Sequence, residues 1–293
     1  MNMDRVLVTG ATGLLGTTLC PVFEDFGYKV IKHALNSEAH YQFDLSQATV
    51  TSQALDRVRP NVIINLVSLT SVELCEERPH SAYMANTKSV ENLAAWIAES
   101  GEPCHLVQIS TDHVYDGMGL HKESDVTITN TYAFSKYAGE LAATRVPSTI
   151  LRTNFVGRSK DSRRESLTDW VYDSMTKKKT VEVLDDVFFS PLSMLTLVEM
   201  IRLVVDKRTN GTFNLGSHDG MTKAEFDFAF AESLGLPTHT MRPIAADKAS
   251  FLKARRPKNM QMDSSKFEQE FGIKLPRLVD ELGRVAEEYR NVS

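Results

Sequence analysis

Arg5-Val6-Leu7-Val8-Thr9 runs directly into Gly10-Ala11-Thr12-Gly13-Leu14-Leu15-Gly16 near the start of the chain. The first five residues are apolar and β-branched, the composition of a buried central strand. Thr17 to Phe26 continues as helix-compatible sequence. Strand, glycine turn and helix in this order are the setting in which three such glycines bind a dinucleotide. Gly10 lets the chain turn sharply, Gly13 lets backbone amides approach a pyrophosphate, and Gly16 lets the helix pack close. The first-turn amides and the positive end of the helix dipole then face the phosphates. Thr12, Leu14 and Leu15 fill out this loop and are expected at the cofactor with the glycines.

Working outward, the strand–helix rhythm repeats. Tyr28–Lys32, Tyr41–Leu45, Asn61–Val67, His105–Ser110 and Ser148–Arg152 read as further strands. Between them lie helices, one running to Val58 with Ser46 as its cap, a long one over Tyr83–Glu99, and one over Tyr132–Thr144. This predicts an α/β, doubly wound parallel sheet of the Rossmann kind, with ligands gathered beyond the carboxyl ends of the strands. After about Thr153 the rhythm changes to charged loops and helices. The expected division is therefore a dinucleotide-binding domain over residues 1–153. Residues 154–293 form a smaller, interleaved C-terminal substrate domain with some elements returning to the core.

The composition of the 293 residues, 42% hydrophobic and 24% charged, suits a soluble enzyme. A net charge of −5 argues against nucleic acid or an anionic membrane as the main partner. No apolar run reaches the roughly 20 residues that span a bilayer, and the first apolar stretch is broken by the glycine turn rather than built as a signal peptide. Cys20, Cys75 and Cys104 fit neither a disulfide framework nor a zinc pattern. A cytoplasmic location with reduced thiols is expected, and no metal site.

The end of the second strand chooses between the two nicotinamide cofactors. Ile31-Lys32-His33-Ala34-Leu35-Asn36 offers no acid for a ribose 2′-hydroxyl, so Lys32 and His33 tilt the expectation to NADPH, with NADH second. Asp44 is placed to meet the adenine edge, or to cap a helix, or both.

Tyr132-Ala133-Phe134-Ser135-Lys136 puts a phenol and an ammonium one turn apart on one helix face. A phenol near pKa 10 is a poor proton donor at neutral pH unless a neighbouring cation lowers it. Alone the pair is ordinary surface chemistry. Ser110-Thr111-Asp112-His113-Val114-Tyr115 adds a hydroxyl at the end of a buried strand, from Thr111 or Ser110, where it can polarise a carbonyl beside the tyrosine.

These motifs together resemble the extended short-chain dehydrogenase/reductases, and within them the dTDP-4-dehydrorhamnose reductase-like sugar-nucleotide reductases. The glycine loop, Leu69–Glu76 after the fourth strand, Asn86, Ser110–Gly117, Leu151–Asn154 and Arg255–Asn259 are the matching stretches. The resemblance implies hydride transfer to the 4-keto group of a nucleotide-linked 6-deoxy sugar, in polysaccharide biosynthesis. It casts Tyr132 as proton donor, Lys136 as anchor of the cofactor ribose, and Thr111, rather than Ser110, as the hydroxyl on the carbonyl. Leu45, Leu66, Val67, Ser68 and Asn86 join the expected cofactor contacts. Thr70, Val72, Glu73, Asp112, His113, Val114 and Asn154 are expected at the nucleotide-sugar substrate, where His113 and Tyr115 shape the sugar pocket. The resemblance also implies a homodimer, paired through the helices starting near Tyr83 and Tyr132.

Arg255 and Arg256 suit a grip on a diphosphate, though a solvated turn reads the same way. Two other functions fit the same fold. One is a 4-epimerase or dehydratase; the acid pair typical of dehydratases is incomplete here because His113 follows Asp112. The other is a non-catalytic dinucleotide-binding subunit, similar in fold to the regulatory β subunit of methionine adenosyltransferase.

Overall fold

The computed structural model describes residues 4–290. In its first half, β1 (Arg5–Thr9) leads into α1 (Gly16–Asp25), β2 (Lys29–Ala34), β3 (Tyr41–Gln42), α2 (Ala48–Val58) and β4 (Val62–Asn65). There follow α3 (Val72–Glu77), α4 (Pro79–Tyr83), a π-turn over Met84–Lys88, α5 (Ser89–Glu99), β5 (His105–Ile109), α6 (Thr131–Ala143) and β6 (Ser148–Thr153). The remainder adds β7 (Phe155–Val156), α7 (Leu167–Thr176), β8 (Val181–Leu184), β9 (Phe188–Phe189), β10 (Leu192–Ser193) and α8 (Met194–Lys207). It ends with β11 (Gly211–Leu215), β12 (Met221–Thr222), α9 (Lys223–Ser233), β13 (Met241–Ile244), α10 (Ser265–Phe271) and α11 (Leu278–Arg290).

The chain forms two units. The first runs up to Thr111 and takes in Asn130–Arg152 and Val198–Phe213; the second holds Asp112–Thr129, Thr153–Leu197 and the chain from Asn214 onward. The return of residues 198–213 to the first unit is of the kind the sequence predicts, whereas residues 112–129 leave it.

The first unit carries a seven-stranded sheet in the order β11-β6-β5-β4-β1-β2-β3. β1 pairs in parallel with β2 and with β4, and the pairs β2–β3, β4–β5 and β5–β6 are parallel too. This is the doubly wound Rossmann sheet that the sequence predicts. Its order reverses between β1 and β4, where such sheets bind their ligands. The strands are buried on both faces, as Val6-Leu7-Val8 and Val62-Ile63-Ile64 require, and α5 seals one side with Leu93, Trp96 and Ile97.

Three expectations shift locally. Ser46 does not cap α2: Gln47 is the capping position, and Asp44 instead accepts the Ser46 amide at 2.9 Å in a turn ahead of it. The third strand shrinks to two residues. The helix expected over Tyr83–Glu99 is present but begins earlier: α4 passes without a break through the π-turn into α5, and the side chain of Asn86 in that turn is held by its surroundings, as described below.

The second unit packs its own core from α7, α9 and α11. Phe226 and Phe230 lie 6.3 Å apart with parallel rings, and Phe230 meets Tyr289 edge-on at 5.2 Å. Short two-stranded pairs β7–β10, β9–β12 and β8–β13 brace this core. α7 and α9 both begin in capping boxes, Ser166 with Asp169 and Thr222 with Glu225. No helix among the described residues is long and apolar enough to cross a membrane.

Candidate active site

The glycine loop is shaped by close contacts that side chains would destroy. Gly10 has φ +69° and lies against the Leu66–Val67 peptide, where a Cβ would come within 3.2 Å. At Gly16 a Cβ would stand 2.5 Å from the Ala11 carbonyl oxygen, so it is the loop, more than the strand, that demands glycine there. The Ala11 amide donates to the His33 carbonyl at 2.9 Å, tying the loop to the end of β2. The loop closes on itself through the Gly13 amide to the Gly10 carbonyl at 2.9 Å and the Thr17 amide to the Gly13 carbonyl at 3.0 Å, at the amino end of α1, where the helix dipole suits phosphate oxygens.

Beside it lies a cavity of about 460 Å³. His33, Asp44, Leu45 and Val67 line it as expected, joined by Leu35, Phe43, His80 and Met84, which sequence reading passes over. An apolar slot with a few polar atoms suits an adenosine.

Here the electrostatic reason for choosing Lys32 and His33 fails. His33 is 1% exposed, its Nε2 bonds to the Phe43 carbonyl at 2.9 Å, and its ring packs on Phe43 at 4.3 Å. Burial lowers its pKa and keeps it neutral. Lys32 does not line the cavity; its ammonium pairs with Glu24 of α1 at 2.8 Å.

Asn86 turns out to be a clamp. It is 1% exposed, and its Oδ1 accepts from the Leu69 amide (2.7 Å) and the Ser68 hydroxyl (3.0 Å). Its Nδ2 donates to the Leu69 carbonyl (3.1 Å) and to Ser135 Oγ on α6 (2.9 Å). With its side chain used in this way, Asn86, together with Ser68, positions the loop after β4. The π-turn aims Asn86 at both elements. Gly139 makes the approach feasible, since a Cβ there would collide with the Asn86 carbonyl.

The other end of that clamp is α6, which carries Tyr132 and Lys136. Asn130 caps it, accepting the Ala133 amide at 2.8 Å, and Glu76 accepts from both the amide and hydroxyl of Thr131 at 2.7 and 2.8 Å. Tyr132 and Lys136 are buried. Lys136 Nζ donates to the Ile109 carbonyl at 2.7 Å, fastening α6 to the carboxyl end of β5 two residues before Thr111. Burial pulls the Lys136 pKa down to about 8, against the opposing pull of Glu140.

Ser110 is already engaged, because its hydroxyl donates to Glu140. Glu140 in turn receives Arg152 in a two-pronged ion pair, Nε at 3.0 Å and Nη2 at 2.7 Å, with both side chains buried. This network was invisible in the sequence; Thr111, the next residue, is buried as well.

Thr70 lies exposed before α3, Glu73 is half-buried in the first turn of α3, and Ser71 caps the helix by accepting the Leu74 amide at 3.2 Å. Val72 is buried with the core, so its side chain serves packing.

The remaining expected residues belong to the second unit. Asp112 is buried and accepts Asn154 Nδ2 at 2.7 Å. His113 is neutral, its pKa pushed down to about 3 by burial and by the Lys223 and Arg256 cations. Val114 is buried, and its carbonyl accepts the Thr127 amide at 2.8 Å. Tyr115 departs from expectation: it is wholly buried, donates to Asn214 at 2.6 Å and stacks on His121 at 5.2 Å. It is core, and shapes no pocket.

The basic cluster divides. Arg255 is exposed and reaches Asp116 at 3.3 Å, Lys258 pairs with Asp186 at 2.6 Å, and Arg256 is the member within electrostatic reach of His113 and Lys223.

Comparison with known proteins places these observations. The family described as RmlD substrate binding domain matches residues 3–291. A curated relative named "Probable low-salt glycan biosynthesis reductase Agl14", of Haloferax volcanii, is 27% identical over 98% of both chains. Methionine adenosyltransferase 2 subunit beta of Pongo abelii is 28% identical over 90% of this chain and 81% of its own. Among solved structures, dTDP-4-dehydrorhamnose reductase from Bacillus anthracis, in complex with NADP, aligns with a TM-score of 0.87 at 23% identity, covering 98% of this chain and 99% of that one.

Proposed function

The chain belongs to the RmlD substrate-binding domain family, and on that premise we propose that it reduces the 4-keto group of a nucleotide-linked 6-deoxy sugar. The observation that carries this reading is the Lys136 Nζ bond to the Ile109 carbonyl, which ties the Tyr132 helix to the strand end that continues into Thr111.

A bound nicotinamide dinucleotide supplies the hydride that adds to the carbonyl carbon. Thr111 donates a hydrogen bond to the carbonyl oxygen, and Tyr132 gives the proton that turns that oxygen into a hydroxyl. Lys136 holds positive charge beside the phenol, which favours the phenolate left behind. Gly10, Gly13, Gly16 and the first turn of α1 receive the pyrophosphate, and the cavity lined by Asp44, Leu45 and Val67 receives the adenosine.

NADPH remains the proposed reductant, ahead of NADH. Its support is the lack of a carboxylate over Lys29–Ser37, which would repel a 2′-phosphate, and no longer a cationic Lys32 or His33. A homodimer is proposed on α6, which exposes Phe134 and Leu141 two turns apart on one face.

A second reading, a dinucleotide-binding subunit of another enzyme, is favoured by the likeness to the methionine adenosyltransferase subunit. The test is oxidation of NADPH or NADH, followed by nicotinamide absorbance, with a dTDP-linked 4-keto-6-deoxy sugar made in situ. Turnover by the wild type that disappears in Tyr132→Phe is the expected result. Tight dinucleotide binding without turnover on any nucleotide-linked keto sugar favours the second reading.

A further inference from the structure

Three strands at the centre of the first unit carry polar residues that an apolar core does not call for. β1 closes on Thr9, β4 closes on Asn65, and β5 carries Gln108 one place before its end. All three are buried. The register sets Thr9 opposite Asn65 and Asn65 opposite Gln108, so their side chains stand in one row across the same face of the sheet. Buried amides are costly unless they bond, and these bond to one another.

The Thr9 hydroxyl donates to Asn65 Oδ1, which also accepts the Val67 amide at 3.4 Å. Asn65 Nδ2 donates to Gln108 Oε1 at 2.7 Å, and Gln108 Nε2 donates to the Ile109 carbonyl at 3.0 Å. Lys136 Nζ donates to that same carbonyl at 2.7 Å. The orientation of the row follows from its first bond. With Asn65 Oδ1 turned to Thr9, Nδ2 faces β5, and Gln108 must accept with Oε1 and donate with Nε2. The side-chain donors therefore all point one way, from the residue ahead of Gly10 to the oxygen that holds the lysine.

A carbonyl oxygen has two lone pairs. Gln108 occupies one, which confines the Lys136 ammonium to the other and sets the direction of its remaining N–H bonds. The Gln108 N–H also brings the positive end of a dipole toward the ammonium, and a chain of hydrogen bonds polarises its members in the same sense. It adds to burial in disfavouring the charged form of Lys136. Glu140 on α6 and Cys75 on α3 are titratable neighbours that favour that form, and Tyr132 stands one turn back on α6. The row itself is uncharged and acts through the carbonyl.

We propose that Gln108 is a positioning residue for Lys136: anchored through Asn65 by Thr9, it fixes the Ile109 carbonyl and with it the place of the ammonium. The chain thereby links the strand end that opens the glycine loop to the lysine on α6. The role given to Lys136 rests on the reductase reading above; the hydrogen-bonded row does not.

The test follows Lys136 itself, by nuclear magnetic resonance of the full chain carrying ¹³C-labelled lysine, titrated from about pH 6 to 11. The resonance missing from Lys136→Met identifies it. Gln108→Met removes the N–H from the carbonyl, and Lys136 should then titrate higher by about half a pH unit or more. Thr9→Val, at the far end of the row, should move it the same way by less. A row that merely supports the sheet would lower the melting temperature of both variants and leave the titration in place. A midpoint unmoved or lowered in Gln108→Met overturns the proposal; if that variant does not fold, the same outcome in Thr9→Val does. Where the wild type reduces a keto sugar, Gln108→Met should lower kcat by about 10-fold and change KM for the dinucleotide by less than about threefold. Lys136 shifted by these substitutions in a protein that reduces no keto sugar fells the reductase reading and leaves this one standing.

Discussion

Each unit gathers a cluster of charged groups, and the two clusters are bonded differently. In the first, Ser110, Glu140 and Arg152 satisfy one another, with Lys136 bonded to a backbone carbonyl nearby. In the second, Lys223 and Arg256 share the company of Asp112, while Asp227 is kept protonated and incompletely bonded. A closed network fixes geometry, because a buried ion pair that loses one member is expensive.

Breaking the first cluster should show the larger effects. Tyr132→Phe removes the proton donor and should lower turnover by about 10²- to 10⁴-fold while leaving dinucleotide affinity intact; steady-state rates and calorimetry together check this. Arg152→Met strands the Glu140 carboxylate and should destabilise the protein by about 3–5 kcal/mol in urea unfolding, with much of the loss recovered in Arg152→Met/Glu140→Gln.

Lys136 behaves in the opposite sense. Its pKa is lower in the folded chain, about 8, than the usual 10.5. Folding therefore disfavours its charged form, a penalty fully present below pH 8 and lost as pH rises toward 10.5. Lys136→Met should abolish reduction yet raise stability by about 2 kcal/mol at neutral pH, less the bond to Ile109, and the gain should fade in that alkaline window. A melting series across pH 7 to 10.5 would expose a wrong sign.

The second cluster gives a mirrored effect. Asp227 titrates near 8 in the fold against 3.8 in an unfolded chain, so its burial weakens the fold progressively as pH climbs between those values. Asp227→Asn should be neutral below pH 4 and stabilising by about 1–3 kcal/mol at pH 8. The smallest change is expected of Lys32→Ala. With its ammonium engaged by Glu24, the ratio of NADPH to NADH affinity should move by less than about threefold, the scale of one exposed ion pair.

The sheet was legible in the chain because apolar strands and glycine turns are local signals, and so was the helix that carries Tyr132 and Lys136. What escaped was set by distant partners. His33 reads as a cation until Phe43, ten residues on, is seen to cover it. Tyr115 reads as a pocket residue until Asn214, remote in sequence, takes its hydroxyl. Glu140, Arg152 and Asp227 look like ordinary helix and strand residues, because only folding reveals that they are buried. The exchange of residues 112–129 between units has no compositional mark at all.

One consequence of the Asn86 clamp concerns motion. A single side chain fastens the peptide of Leu69 and the α6 hydroxyl of Ser135, so neither can open alone without stranding a buried amide group. In deuterium exchange, the Leu69 amide, which donates to Asn86, should share one opening free energy with the central amides of α6. Asn86→Ala should split that protection into two separate steps, converting one cooperative unit into a loop that breathes and a helix that does not.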